Sequence, residues 1–404
     1  MILRSFKNYA TRLKLFKQNK MPLEDMSRNE NSHSIGIQFS NVDVFLISKD
    51  QKNLPFLGIS KSILELTEVL RSLNLKVCLV TEGSHFQVDE LKKDLIQVCI
   101  PRSNKLFQAM WNLKLPHPTA AWIVNVLKYV EISGIVIAPV VGLQSAVCRQ
   151  LSPLEVKRLI TLHTPYSQST PIQALFKRVQ RSSLNYADVI VANSKTILSK
   201  FESTNLVKVA LIPHYVKSVK TRGYMHANKE EIQQFVWIGA LTYRKGADRL
   251  INLIGRNRGK NQIHVVWANA KFSLLYKICL KIMSSFGFVR LHTSLTEEEL
   301  VNLIQDSSAI ISTSRFESFG MTIVEAGLQG KGLIAITAPG VTETLPTQNT
   351  GATYFKKISE LNAFIISTQN SQLLMLGKES QAYCETNYGL EEISHKWKEL
   401  IDSL

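Results

Sequence analysis

Short apolar runs alternate with longer amphipathic segments along the chain from about residue 40. The runs are rich in β-branched residues, as are the strands of a parallel sheet that is covered on both faces. In the first half of the chain they predict strands at Val42–Ser48, Lys76–Val80, Ile96–Ile100, Ile135–Val141, Arg158–Leu162 and Asp188–Asn193. Helical spacing between them predicts helices at Ile59–Leu73 and Ile172–Tyr186. This alternation predicts a doubly wound α/β layer.

A second series of alternating elements follows residues 214–232, which are polar and basic and are interpreted as a linker. Its strands are predicted at Gln234–Ile238, Ile263–Trp267, Phe288–Leu291, Ala309–Ser312 and Leu333–Ile336, and its helices at 247–254, 273–286, 296–305 and 320–329. The sequence therefore predicts two Rossmann-like domains in tandem, at 36–213 and 233–385. They are preceded by a basic amphipathic extension at 1–35 and followed by a helix at 386–404 that is expected to cross back to the first domain.

Composition and charge narrow the class of protein. With 45% hydrophobic and 20% charged residues, the chain can bury large cores and is not a disordered protein. Its five cysteines form no CxxC pair, which favours reduced thiols in the cytoplasm and excludes a secreted disulfide scaffold. The apolar stretch 132–148 is interrupted by Gly and Pro and is too short to span a bilayer. A net charge of +16 implies an anionic partner or surface.

The segment STSRFESFGMTIVEAGLQG at 312–330 follows a predicted strand and starts a predicted helix near Gly320. Ligands of open parallel sheets bind beyond the carboxyl ends of the strands. The first amides of a helix have no partner within the helix. The amides of Phe319, Gly320 and Met321 are therefore candidates for binding a phosphate.

Two carboxylates in this segment, Glu317 and Glu325, could hold two ends of one ligand. Glu325 shares a helix face with Met321 and Leu328, where a carboxylate is costly unless it meets hydrogen-bond donors. Sugar hydroxyls would be suitable donors. The alternative is structural, with Glu317 solvated and Glu325 paired with a buried Arg or Lys. Spacing alone leaves both interpretations open.

The wider context carries a family resemblance. Glu317 and Glu325 form an E-x7-E pattern within ESFGMTIVEAGLQGKGLIAITAPGVTE, which resembles the donor-site signature of retaining glycosyltransferases of the GT-B fold, in particular glycosyltransferase family 4 (group 1). Four further segments resemble that family in the same order along the chain: TLHTPYSQ, ADVIVANSKTILSKF, FVWIGALTYRKGADRLI and LTEEELVNLIQDSSAIIS. The resemblance covers about residues 40–400 and is strongest from 235 to 345.

The resemblance implies a role for each matching residue. His163, Glu317 and Lys245 would be the catalytic residues: His163 near the reacting carbon, Glu317 on the hydroxyls of the donor sugar, and Lys245 on the leaving diphosphate. Glu325 would bind the ribose hydroxyls. The implied nucleotide-sugar-binding set is Gly58, Gly239, Arg244, Lys245, Phe319, Gly320, Met321 and Glu325.

Three departures from the family pattern concern the donor. Gly239-Ala240 stands where the family has Gly-Arg, so one phosphate-binding arginine is missing, and Arg244 is the candidate replacement. Leu57-Gly58 stands in place of a Gly-Gly loop. The segment WANA at 267–270 replaces a glycine-rich loop near the base.

The predicted function is transfer of a sugar, with retention of configuration, from a nucleotide diphosphate sugar (UDP-sugar by family default) to a glycan or lipid-linked acceptor. No cofactor or metal is expected, since the sequence offers no DxD or His/Cys cluster. The alternatives are a sugar-nucleotide 2-epimerase or a phosphorylase on the same fold. A basic nucleic-acid-binding protein is the alternative from another class. It is disfavoured because no zinc finger or helix-turn-helix spacing is present, so no nucleic acid partner is expected.

Residues 1–20 carry six Lys or Arg and no acidic residue, with Ile2, Phe6, Tyr9, Leu13 and Phe16 on one helical stripe. A basic amphipathic helix with aromatic residues favours an anionic membrane interface, here the inner face of the membrane. The alternatives are a helix docked on the enzyme itself, an organelle presequence, or an extension upstream of a start at Met21.

Overall fold

The computed structural model describes residues 42–47, 58–83, 87–101, 134–139, 151, 156–163, 184–199, 208–219, 232–267, 273–293 and 295–404. The predicted amphipathic segment at 1–20 and most of the helix predicted at 172–186 lie outside these residues.

The first domain is built on a sheet of eight described strands in the order β3-β4-β2-β1-β5-β6-β7-β8. All neighbours pair in parallel except β3 and β4, which form an antiparallel hairpin. The described elements are β1 (Val44–Ile47), α1 (Gly58–Ser72), β2 (Val77–Gly83), β3 (Gln87–Lys92), β4 (Leu95–Pro101), β5 (Ile135–Pro139), β6 (Lys157–Leu162), β7 (Val189–Ala192), α2 (Lys195–Leu198) and β8 (Lys208–Leu211).

The second domain contains a parallel sheet of six described strands in the order β11-β10-β9-β12-β13-β14. The described elements are β9 (Gln234–Ile238), α3 (Ala247–Asn257), β10 (Gln262–Trp267), α4 (Leu274–Ser285), β11 (Arg290–Thr293), α5 (Glu297–Asp306), β12 (Ala309–Ser312), α6 (Met321–Leu328), β13 (Gly332–Ile336), α7 (Val341–Thr344), β14 (Ala352–Phe355), α8 (Ile358–Ser367), α9 (Asn370–Tyr388) and α10 (Leu390–Asp402).

The predicted class, an α/β protein with two Rossmann-like domains, is confirmed. The predicted strands lie within a few residues of the observed ones, because their apolar runs fill buried positions such as those of β7, β12 and β13. The elements that were not predicted are the hairpin strand β3, the helix α2, the edge strand β8, and α7, β14, α8 and α9.

The C-terminal helix α10 packs against α1 of the first domain. Ile393, Trp397 and Leu400 on α10 are buried in the same apolar cluster as Val69 and Leu70 on α1. The chain therefore returns to the first domain after α9.

The segment that follows β8 also joins the domains, and it is less solvated than the linker interpretation implies. Tyr215 is buried in the apolar cluster of the first domain, and Val216 in a cluster of the second. The amide of Val216 donates to the carbonyl of Tyr388 at 3.2 Å. Residues 214–216 therefore form a packed crossing between the domains, while 217–219 are exposed, and none of the six is in a helix or strand.

Among the described residues, we find no helix that combines the length and the apolar character needed to span a bilayer.

Candidate active site

The loop between β12 and α6 carries the first predicted carboxylate. The strand ends at Ser312, and the helix begins at Met321 after Gly320, whose φ of 81° lies in the left-handed region that glycine adopts readily. Glu317 lies within this loop and is buried, with 7% of its surface exposed. The alternative in which Glu317 is solvated is therefore wrong.

Glu317 forms an ion pair with Lys245. The Lys245 ammonium lies 2.7 Å from each carboxylate oxygen of Glu317, and the Ser314 hydroxyl donates to Oε1 at 2.6 Å. These three contacts provide the charged partner that a buried carboxylate requires. The structure thus brings together two of the three predicted catalytic residues, and it adds Ser314.

Thr313 holds the backbone of the Lys245 loop against the strand that precedes Glu317. The Trp237 indole N–H donates to the Thr313 hydroxyl at 3.0 Å. That hydroxyl lies 3.2 Å from the Lys245 carbonyl and 3.0 Å from the Gly246 carbonyl. Lys245 is therefore positioned by a buried threonine on the neighbouring loop.

Two arginines, Arg244 and Arg315, join the loop after β9 to the loop after β12 on the solvent side. Arg315 makes a two-pronged ion pair with Asp248, at 2.7 Å on both sides, and lies 3.7 Å above the ring of Tyr243. The hydrogen bond from Arg315 lowers the pKa of Asp248, so the pair stays charged. Arg244 is exposed and donates to the Phe316 carbonyl at 3.2 Å. Arg244 therefore lies beside the ion pair of Lys245 and Glu317.

The second predicted carboxylate, Glu325, meets a cation of the other domain. The Lys61 ammonium on α1 lies 2.7 Å from Glu325 Oε1 and 3.6 Å from Glu297 Oε1. Burial lowers the pKa of Lys61, but the Glu325 carboxylate outweighs it, and the pKa is raised overall. Glu325 is therefore paired with a lysine, as the structural alternative predicted. The described contacts involve only Oε1, so Oε2 is left to accept a hydrogen bond from a hydroxyl group.

The start of α6 lies against the first domain. The Ser194 hydroxyl donates to the Ser318 carbonyl at 2.5 Å. At the N-terminus of α2, the amides of Lys195 and Thr196 donate to the carboxylate of Glu343. These contacts bring the amides of 319–321 close to the carboxyl end of β7.

His163 lies at the carboxyl end of β6, as predicted, but it is enclosed. Its ring nitrogens lie 2.8 Å from the Thr161 hydroxyl and 3.4 Å from the Ser62 hydroxyl. Its ring stacks on His214 at 5.0 Å. Burial lowers the pKa of His163 to about 4, so the ring is neutral near pH 7. His163 can thus donate or accept a hydrogen bond at the end of β6, but it does not carry a positive charge.

An aromatic row continues from His163 across the domains. His214 makes an edge-to-face contact with Phe319 at 5.1 Å, and Phe319 makes one with Tyr388 at 5.2 Å. His214 also lies 2.8 Å from Asn193 Nδ2. Burial, and secondarily His163, lowers the pKa of His214 well below its ordinary value. The ring of Phe319 is thus part of the interdomain packing, so its side chain fixes the loop whose amides are the predicted ligands.

The two predicted glycines lie at element ends. Gly58 is the first residue of α1, and Gly239 follows β9, where its amide donates to the Val266 carbonyl at 3.1 Å. A Cβ on Gly239 would lie 3.2 Å from the Trp237 ring. Residues 268–270 of the WANA segment, which replaces the family's glycine-rich loop, lie outside the described residues.

A further carboxylate, Glu65, lies on the same helix as Lys61. It is 5% exposed, its Oε1 accepts the amide of Lys217 at 3.2 Å, and its Oε2 has no described partner. Burial raises its pKa to about 8, against the opposing effects of the Lys217 amide and of Lys61. Glu65 therefore binds a proton in the folded protein over a pH range in which it is ionised in the unfolded chain.

We expect Glu65→Gln to remove a pH dependence of stability. Since the folded state holds the proton up to about pH 8 and the unfolded state releases it near 4.5, the wild type loses stability as pH rises between these values. The two proteins should be equally stable below this range, and the variant more stable above it, by at least about 1 kcal/mol. Chemical denaturation at both ends of the range measures this. Parallel stability curves for the two proteins would contradict the assignment.

Residues 225–383 match the family model described as glycosyl transferases group 1. Sucrose-phosphate synthase from Thermosynechococcus elongatus is similar in structure, with a TM-score of 0.72, 16% identity, and coverage of 90% of this chain and 98% of that chain. HepE from Anabaena, in complex with UDP and glucose, has a TM-score of 0.68, 18% identity, and coverage of 90% and 100%.

A third similar structure is α,α-trehalose 6-phosphate synthase from Burkholderia multivorans, with a TM-score of 0.68, 10% identity, and coverage of 90% of this chain and 98% of that chain. No curated protein matches the chain. At these identities the likeness to solved structures shows the fold.

The chain has two domains built on largely parallel sheets, and the acidic loop and the start of α6 in the second domain face the first. This is the GT-B fold, which the similar solved structures share. Residues 225–383, most of which lie in the second domain, match the group 1 glycosyltransferase model. The resemblance predicted from the sequence is therefore confirmed.

Proposed function

We propose that the chain transfers a sugar from a nucleotide diphosphate sugar to a glycan or glycolipid acceptor, with retention of configuration. The observation that carries the proposal is the buried ion pair of Lys245 and Glu317 at the carboxyl ends of β9 and β12, next to the start of α6. It combines a cation for a diphosphate, a carboxylate for sugar hydroxyls and helix amides for a phosphate.

A UDP-sugar is the proposed donor. The structurally similar HepE from Anabaena is described in complex with UDP and glucose, which supports this nucleotide. In the proposed arrangement, Oε2 of Glu325 accepts the ribose hydroxyls while Lys61 keeps its place on Oε1. Arg244 and the amides of Gly320 and Met321 contact the diphosphate.

Retention without a covalent intermediate fits the surroundings of Glu317. Both of its oxygens already accept hydrogen bonds, from Lys245 and from Ser314, so the carboxylate is poorly placed to attack a sugar carbon. We therefore assign Glu317 to binding sugar hydroxyls. The reaction then proceeds on one face of the donor while the Lys245 ammonium stabilises the charge that develops on the leaving diphosphate.

The proposal is tested by measuring the melting temperature of the protein with a panel of nucleotide diphosphates and nucleotide sugars. A ligand that binds only the folded state raises the melting temperature, so a selective rise identifies the donor. NMR analysis of the product with a model acceptor then reports the anomeric configuration. If no panel member raises the melting temperature and none is hydrolysed or transferred, the proposed function is wrong.

Removal of the Glu325 carboxylate should weaken nucleotide binding. If Oε2 accepts the ribose hydroxyls, Glu325→Ala costs about 1.5–3 kcal/mol of binding free energy, the range for hydrogen bonds to a charged group. Titration calorimetry with the free nucleotide diphosphate measures the loss. Glu297→Ala is the matched control, since Glu297 also approaches Lys61 but is largely exposed. Unchanged affinity in a folded Glu325→Ala protein would remove Glu325 from the nucleotide site.

A further inference from the structure

Helix α4 (Leu274–Ser285) presents a stripe of large apolar side chains to solvent. The stripe consists of Leu274, Leu275, Ile278, Ile282 and Phe286, which are between 45% and 77% exposed. Leu274, Ile278, Ile282 and Phe286 recur at intervals of four residues, and Leu275 lies beside Leu274, so the five side chains share one face of the helix. Isolated exposed apolar residues are ordinary on protein surfaces, but a contiguous apolar strip marks an interaction site.

The orientation of the stripe is fixed by the opposite face of the helix. Leu280 is fully buried, and Tyr276 and Met283 pack against the apolar core of the second domain. Helix α4 therefore cannot bury the stripe by turning without exposing this inner face.

The stretch of sequence that contains α4 carries charge of one sign. Residues 249–296 contain eight Lys or Arg and no Asp or Glu. Lys277 and Lys281 flank the stripe on α4 itself. Arg256 and Arg258 are exposed at the end of α3, and the adjacent Gly259 approaches the Phe288 ring, which stacks on Phe286. Basic side chains thus lie along one flank of the stripe and near its C-terminal end.

This combination fits an anionic lipid surface better than the other anionic or apolar partners. Leu, Ile and Phe side chains gain by entering the boundary of the acyl chains, while Lys and Arg keep their charged ends at the level of the headgroups. A nucleic acid would use the basic groups but leave the apolar stripe in water. A second copy of this chain would bury the stripe but bring two strongly positive surfaces together.

We propose that the exposed face of α4, with the basic residues around it, docks the second domain on the surface of a membrane that contains anionic lipids. The stripe enters the interface, and Lys277, Lys281 and Arg256 contact the headgroups. The residues of this surface belong to a different part of the sequence from residues 1–20, and the proposal does not depend on the proposed function.

The test is flotation of the full chain with vesicles of phosphatidylglycerol and phosphatidylcholine in equal parts, and with vesicles of phosphatidylcholine alone. The wild type should float with the first at low salt and remain at the bottom with the second. The variant Leu275→Gln/Ile282→Gln/Phe286→Gln keeps residues 1–20 and all basic groups, and it should bind the anionic vesicles at least about tenfold more weakly.

A matched control removes three exposed apolar side chains elsewhere on the second half of the chain. Leu374, Met375 and Leu390 are exposed on α9 and α10, outside α4, and their glutamine variant should float as the wild type does. A charge variant, Arg256→Glu/Lys281→Glu, should lose about tenfold in binding at low salt and show a weaker salt dependence. Melting temperatures confirm that each variant is folded.

Four results would overturn the proposal. The wild type could stay at the bottom with anionic vesicles, or float equally with uncharged ones. The stripe variant could float as well as the wild type, which would assign any membrane binding to another part of the chain. Finally, sedimentation velocity could show a wild-type dimer that the stripe variant dissociates, in which case the stripe binds a second copy.

Discussion

Lys245→Ala should lower kcat by about 10²–10³, the loss seen when one stabilising donor is removed from a transition state. The ammonium lies on the Glu317 carboxylate at the place where the diphosphate is proposed to leave. Its attraction to the leaving group grows as negative charge develops, so kcat should fall more than donor affinity does. Steady-state kinetics with the donor identified by melting temperature measures both quantities.

The same substitution also leaves a buried carboxylate without its cation, so stability must be separated from catalysis. We expect Lys245→Ala to lose about 1–3 kcal/mol of folding free energy, because Glu317 then lacks a charged partner. The double variant Lys245→Met/Glu317→Gln removes both charges at similar volume and should regain much of this stability. It should not regain activity. If it did, the pair would be structural and not part of the reaction.

Arg244→Ala is the matched control for position. Arg244 is exposed, so solvent screens its proposed contact with the diphosphate, and that contact should strengthen less as charge develops than the contact of the part-buried Lys245. Its loss should raise KM for the donor with a smaller effect on kcat. Wild-type kinetics for Lys245→Ala, or a change confined to KM, would argue against the assigned role of Lys245.

Strands that are buried on both faces of a sheet could be predicted from the sequence, because nearly all of their residues are apolar. The strand β12 is fully buried and was predicted with its observed bounds. The edge strand β8, in contrast, has exposed or partly exposed side chains throughout, and the hairpin strand β3 contains Asp89, Glu90 and Lys92. Such strands are stabilised by hydrogen bonds to a neighbour, which leave little trace in the hydrophobic pattern.

Some residues of the candidate site could be predicted from the sequence and others could not. Glu317 and Lys245 could be predicted because each follows a strand of one parallel sheet, whose carboxyl ends meet at one edge. Lys61, the partner of Glu325, depends on how the two domains face each other. His214 lies in the segment interpreted as a polar linker, and only the packed crossing of Tyr215 and Val216 brings its ring to Phe319. Contacts between domains are set by tertiary packing, which a local pattern does not encode.

The position of Glu317 also depends on Gly340. The amide of Glu317 donates to the Pro339 carbonyl at 3.1 Å, which holds the acidic loop against the turn before α7. Gly340 in that turn has a φ of 79°, and a Cβ there would lie 1.9 Å from the Glu317 carbonyl oxygen. Because the obstacle is backbone, the two loops would have to separate, and the Glu317 carboxylate would move with its loop.

Gly340→Ala should therefore destabilise the protein by at least about 3 kcal/mol, since it combines a left-handed backbone with a direct clash. It should also lower kcat, because small displacements of catalytic groups are costly. Gly287→Ala is the matched control: its φ of 74° is also positive, but no atom lies within 4 Å of the added Cβ. That variant should lose only about 1–2 kcal/mol, the cost of a left-handed residue, and keep its kcat. Urea denaturation and steady-state kinetics on both proteins measure the difference, and equal losses would show that the approach of Gly340 to Glu317 does not determine the geometry of the site.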